Sequence, residues 1–212
     1  MPAKLDPFYE EAVAAVKNAG AEPADPLKIP LADARAKQQR YFAFLAADAP
    51  DVASVRDHTL NTDFGPFTVR LYTPERCARG APDASASPVL VFTRGGGWWA
   101  GNLDSHDRTM RLLANRAGMV VCGVDHHCAP EARFPTQLIE LLIAIEWLRS
   151  EARPREAFAE RLGAAGVPHT LKIYPGVPHG FVMTSRLYGR AEAALDDAAR
   201  AAREFSGSAE KG

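Results

Sequence analysis

Arg94-Gly95-Gly96-Gly97-Trp98-Trp99 places a glycine loop between an apolar, strand-like run and a helix-like segment. Such a loop presents backbone N–H groups to a developing oxyanion, which is half of an acyl-transfer site. The other half, a nucleophile in a Gly-x-Ser-x-Gly turn, occurs nowhere in the 212 residues. The loop is not a dinucleotide-binding fingerprint, because the Gly-x-Gly-x-x-Gly spacing with a downstream acid is not met. A second cluster, Asp125-His126-His127-Cys128, holds residue types that bind metals. Neighbours on an extended segment point in opposite directions and converge poorly on one ion, so no metal or other cofactor is expected. Cys122 sits mid-strand and reads as a small buried apolar residue rather than a replacement nucleophile.

The elements that must position the loop follow from periodicity. Pro7–Ala19 after an Asp6 cap, and Leu31–Ala47 with Leu31, Ala34, Gln38, Tyr41, Phe42 and Leu45 at helical spacing, read as amphipathic helices. The proline-rich stretch 22–30 separates them. Residues 53–60 and 67–72 alternate apolar and polar side chains and predict an antiparallel pair, with Gly65-Pro66 as its turn. Val89–Phe92 and Met119–Val124 are continuous apolar runs suited to buried parallel strands. A helix over 105–117, capped by Asp104 or Ser105, joins them into a βαβ unit. The segment 135–150 is apolar nearly all round and predicts a helix buried on more than one side. Helices over 155–165 and 189–205 and a short strand over 170–174 complete the reading.

Bulk properties narrow the class. The chain is long enough for one domain with a substantial core. With a formal net charge of −1 there is no electrostatic reason to expect nucleic acid or an anionic membrane as partner. Three cysteines are too few for a disulfide framework, so a cytoplasmic location is the simplest expectation. The first residues lack the apolar run of a leader, and no stretch approaches the ~20 apolar residues of a membrane span.

The ordered motifs resemble the hormone-sensitive-lipase-like branch of the α/β-hydrolase carboxylesterases. The matches are Gly95-Gly96-Gly97-Trp98, Gly101–Asp107, Leu113–Gly118, Val124-Asp125, Ala129-Pro130-Glu131 and Phe134-Pro135. A second block resembles the family's C-terminal end: 159–168, Tyr174-Pro175-Gly176 and His179-Gly180-Phe181. The resemblance implies a truncated α/β-hydrolase fold with a mostly parallel sheet, an antiparallel N-terminal strand pair and flanking helices. Residues 1–50 would form an N-terminal helical cap, and 51–212 an incomplete core. An internal deletion falls near 152–155, where three strand–helix units imply on the order of 90 absent residues. This chain departs from the pattern at Arg94, where the family has histidine, and at His126-His127-Cys128. Asp-His-His-Cys is also the signature of protein palmitoyltransferases, but the zinc-binding cysteines and membrane spans those require are missing.

By the same resemblance, His179 matches the general base, and Gly95 and Gly96 match the loop's share of the oxyanion hole. The serine, the acid and the second hole donor fall in the missing part. Deleting the serine of such a triad costs about 10⁶ in turnover. The expectation is therefore an esterase scaffold that is inactive or severely impaired, with a small acyl-ester-like molecule as its ligand. Two alternatives remain: a non-catalytic binding or interaction protein on that scaffold, and a hydrolase whose nucleophile comes from a second chain. Loss of central strands would leave strand 89–92 as an apolar edge that invites self-association.

Overall fold

The computed structural model describes residues 6–78, 88–151, 174, 177 and 181–208. The expected helix over 155–165, all but the last residue of the strand over 170–174, and His179 lie outside the described residues.

Four strands form a mixed sheet in the order β1-β2-β4-β3: β1 is Ser54–Thr62, β2 Gly65–Thr73, β3 Val89–Thr93 and β4 Val120–Asp125. The N-terminal pair β1–β2 is antiparallel, and β2 runs antiparallel to β4. Strand β3 runs parallel to β4, with helix α4 (Asp107–Ala117) crossing between them as the βαβ reading requires. The hairpin turn is not Gly65-Pro66. Thr62 pairs with Gly65, so the loop is Asp63-Phe64, and Thr62 Oγ1 closes it by donating to Gly65 O at 2.8 Å. Gly65 supplies a φ of 113° at the first residue of β2. Pro66 follows where β2 has only β1 beside it, so its missing N–H breaks no ladder to β4.

The two faces of the sheet follow from the two-residue period. Tyr72 and Val121 point to one face, where they meet Leu103, Met110, Leu113, Ala114 and Leu195 of the closing helix α6 (Gly189–Ser208). Gly123 lies on that face too: a Cβ there would stand 2.4 Å from Met110 Sδ, so glycine lets α4 approach closely. Phe67, Val69, Cys122 and Val124 point the other way, against Ala144 and Leu148 of helix α5 (Thr136–Glu151). Burial pushes the Cys122 thiol up to about 12, which leaves it protonated and inert.

Helices α1 (Pro7–Asn18) and α2 (Leu31–Ala46) pack on the chain's later part. A short helix α3 (Glu75–Ala78) follows β2. Asp6 caps α1 by accepting from Phe8 N, as expected, and also accepts from Tyr188 Oη at 2.8 Å and Arg190 Nη1 at 2.5 Å. On α2 the buried residues are Ala34, Gln38, Phe42 and Leu45, a single helical face.

Two helix expectations need correction. The segment after the glycine loop opens as a 3₁₀ turn, Asp104–His106, before α4. Neither Asp104 nor Ser105 caps it, because Asp104 accepts from Arg70 and Ser105 bonds back to Asn102. Helix α5 buries only one side. Leu138 and Leu142 are 45% and 64% exposed, and Phe134 just before the helix is 80% exposed.

Candidate functional site

The glycine loop leaves β3 at Arg94, whose guanidinium is buried and bonded through all three of its nitrogens. Its Nε donates to Asp125 Oδ1 at 2.8 Å, Nη1 to Ala100 O at 3.0 Å, and Nη2 to His126 O at 2.6 Å. Nη2 also reaches Cys128 Sγ at 3.3 Å. This one side chain ties the start of the loop to its end and to the segment after β4. The charge stays buried because Asp125 and the carbonyls compensate it.

Gly96, Gly97 and Trp98 take φ values of 124°, 58° and 67°, and Trp98 is the costly one because it carries a Cβ. The turn closes through Gly96 O, which accepts from Trp99 N at 3.2 Å and Ala100 N at 3.1 Å. A Cβ on Gly96 would lie 2.0 Å from Ala100 O, so no other residue fits there.

The three glycine N–H groups are not equivalent. Gly95 N donates to His106 Nε2 at 3.1 Å. Among the described residues, the Gly96 and Gly97 N–H groups carry no such bond. His106 must therefore be neutral with its proton on Nδ1, where it donates to Ser105 Oγ at 2.8 Å. Burial first, and then the nearby Arg94 charge, lower its pKa to about 4, which keeps it so. Ser105 Oγ also accepts from Asn102 N at 3.0 Å and donates to Asn102 O at 2.5 Å. All three bonding positions of that hydroxyl are filled, so it is not a nucleophile in waiting.

The four residues of Asp125-His126-His127-Cys128 do not converge on one point. Asp125 and Cys128 meet Arg94. His126 is buried, packs at a tilt against the Trp98 ring with centroids 5.0 Å apart and donates from Nδ1 to His127 O at 3.0 Å. Its pKa is lowered, chiefly by burial. His127 pairs through Nδ1 with Glu140, whose carboxylate is completely buried and also accepts from His127 N at 2.9 Å. Among the described residues no three His, Cys, Asp or Glu side chains converge on one point.

From the N-terminal side, Arg35 of α2 donates to Trp99 O and Ala129 O, both at 2.8 Å, and forks onto Glu131 at 2.7 Å. That charge and those bonds hold the Glu131 carboxyl down to about 2. A separate open groove of about 610 Å³ is lined by Asp57, Arg70, Asp104, Asp107 and Arg111 and includes no glycine-loop residue. Its charges are consumed in mutual pairs.

Residues 90–156 match the profile of a family described as alpha/beta hydrolase fold, and residues 148–209 match the dienelactone hydrolase family. These matches and the solved structures below put the chain on the α/β-hydrolase fold. Among solved structures it is similar to a hyperthermophilic esterase from the archaeon Pyrobaculum calidifontis. That match has 17% identity and a TM-score of 0.76, covering 96% of this chain and 99% of that one. An ester-hydrolase from the metagenome of Lake Arreo is similar at 19% identity and TM-score 0.74, with 96% and 99% covered. A thermophilic and thermostable carboxylesterase cloned from a metagenomic library shares 26% identity over 59% of this chain and 41% of its own, with a TM-score of 0.53.

On this α/β-hydrolase scaffold the loop Gly95–Gly97 sits between β3 and the 3₁₀ turn, as the sequence reading places it. His179 lies outside the described residues, so the structure offers no distance from it to the loop. Sequence reasoning missed two residues. His106 lies at the start of the helix expected over 105–117, and its ring turns back to Gly95. Arg35 was read only as part of an amphipathic helix, and its acceptors lie 64 to 96 positions away. Nothing in local spacing signals either contact. No helix among the described residues is long and apolar enough to cross a membrane.

Proposed function

We propose that this α/β-hydrolase binds the carbonyl or carboxylate oxygen of a short acyl ligand at its glycine loop, and hydrolyses esters only residually or not at all. The observation that supports this is the division of labour within the loop. Gly95 N–H is held by a neutral His106, while Gly96 and Gly97 keep theirs available. Donors fixed in advance in this way are what an oxyanion requires. The hole is thus assigned to Gly96 and Gly97, with Gly95 as the residue that anchors it.

Turnover is a separate matter, because the sequence contains no Gly-x-Ser-x-Gly turn. Ser105, buried beside the loop, is saturated, and Cys122 stays protonated. His179 keeps the base position of the family in this reading, without a nucleophile to serve. Residual catalysis from an oxyanion hole alone amounts to roughly 10³–10⁴ over water.

The test is hydrolysis of p-nitrophenyl butyrate by the purified chain, set beside a serine-bearing esterase at equal concentration. Turnover lower by about 10⁶ and no labelling by a fluorophosphonate probe are expected. Labelling that heat denaturation abolishes would overturn the proposal and point to a nucleophile supplied within the assembly. Turnover lost in His179→Ala would do the same.

A further inference from the structure

The glycine loop is held at both ends by one helix that is remote in sequence. Arg35 and Phe42 stand seven positions apart on α2 and so share a face. At the far end of the loop, Arg35 takes Trp99 O and Ala129 O and forks onto Glu131. At the near end, the Phe42 ring packs on the His106 ring with centroids 5.7 Å apart. His106 in turn holds Gly95 N–H. Between these two anchored points lie Gly96 and Gly97. Ala129 N donates to Trp98 O at 2.7 Å, so the segment that Arg35 grips is itself bonded to the loop.

We infer that Arg35 is a positioning residue: through Trp99 O and Ala129 O it sets the conformation in which Gly96 and Gly97 present their N–H groups. This makes helix α2 a working part of the cradle, and the inference rests on the proposed role of those two glycines.

A purely stabilising role fits the geometry less well. The Arg35–Glu131 pair is partly solvated, with side chains 32% and 59% exposed, and water-exposed pairs contribute little to stability. What the fork supplies is direction. A guanidinium is planar and reaches carbonyls and a carboxylate at fixed angles, whereas a lysine ammonium is a point charge that cannot span these acceptors together.

The experiment is amide NMR on the full chain as wild type, Arg35→Lys and Arg35→Gln, with sodium butyrate as the anionic probe. Both variants should melt within a few degrees of wild type. In both, the Gly96, Gly97 and Ala129 amides should shift, with Ala129 exchanging about tenfold faster. Butyrate should then perturb Gly96 and Gly97 with affinity weakened about fivefold or more. Wild-type shifts and affinity in Arg35→Lys would overturn the inference, since charge alone would suffice. Unchanged amides in Arg35→Gln would overturn it as well. So would failure of both variants to fold, because Arg35 would then hold the fold rather than aim the loop. If butyrate leaves Gly96 and Gly97 of the wild type unperturbed while the variants still move those amides, the cradle reading fails and the positioning role stands.

Discussion

Around the glycine loop hydrogen bonds fix the backbone from several sides, whereas helix α5, a few residues further on, presents bare hydrocarbon to solvent. Arg94 and Arg35 together engage four carbonyls and two carboxylates, and His106 takes the Gly95 N–H. Phe134, Leu138 and Leu142, at i, i+4 and i+8, line one exposed stripe. The difference teaches how each kind of order is sustained. Hydrogen bonds that close within residues 94–131, with one helix added, need nothing further to hold their geometry. An apolar helix face is complete only when another surface covers it.

The largest break in that comparison should come from Gly96→Ala. With a φ of 124° and Ala100 O only 2.0 Å from the new Cβ, the turn must open, at a cost of about 4 kcal/mol. Urea unfolding would measure it, and a loss under 1 kcal/mol would mean the turn is not as tight as it stands here.

Arg94→Met comes next. Two buried carbonyls lose their donor and Asp125, 29% exposed, loses its partner, for about 3 kcal/mol. A double-mutant cycle with Asp125→Asn should show coupling between the two.

Acid should act on the same region through His106. Its folded pKa lies below the unfolded value, so the unfolded chain binds the proton first and stability falls as pH drops from 6.5 towards 4. The full loss is about 3 kcal/mol, since a proton on Nε2 would face the Gly95 N–H. Melting temperature followed across that range should decline in the wild type, and His106→Gln should flatten the decline.

The smallest effect on stability belongs to α5. Leu138→Ser with Leu142→Ser should change unfolding free energy by no more than about 0.5 kcal/mol per site. A large stability loss would show that the stripe is covered in solution.

Much of the fold could be read in the residues themselves. The apolar runs of β3 and β4, the Asp6 cap, the helical face of α2 and the helix α6 arise from local patterning, and patterning is what a sequence displays. The turn of the first hairpin was misplaced because Gly65 resembles a turn residue while serving as the first residue of a strand. The bare face of α5 is equally invisible, since an all-round apolar helix looks the same whether or not both sides find partners. The site was legible as a loop, though not as a mechanism for holding it. Gly95 and Gly96 carry the same letter, and only the His106 ring tells their N–H groups apart. That ring and the Arg35 fork are products of tertiary packing.

One arrangement near the loop runs in a single direction. Gly95 N–H points to His106, His106 Nδ1–H to Ser105, and the Ser105 O–H to the Asn102 carbonyl. No member can reverse its role without turning two others against each other. The row therefore behaves as an aligned string of small dipoles, and its orientation is dictated at one end by a backbone amide that cannot rotate.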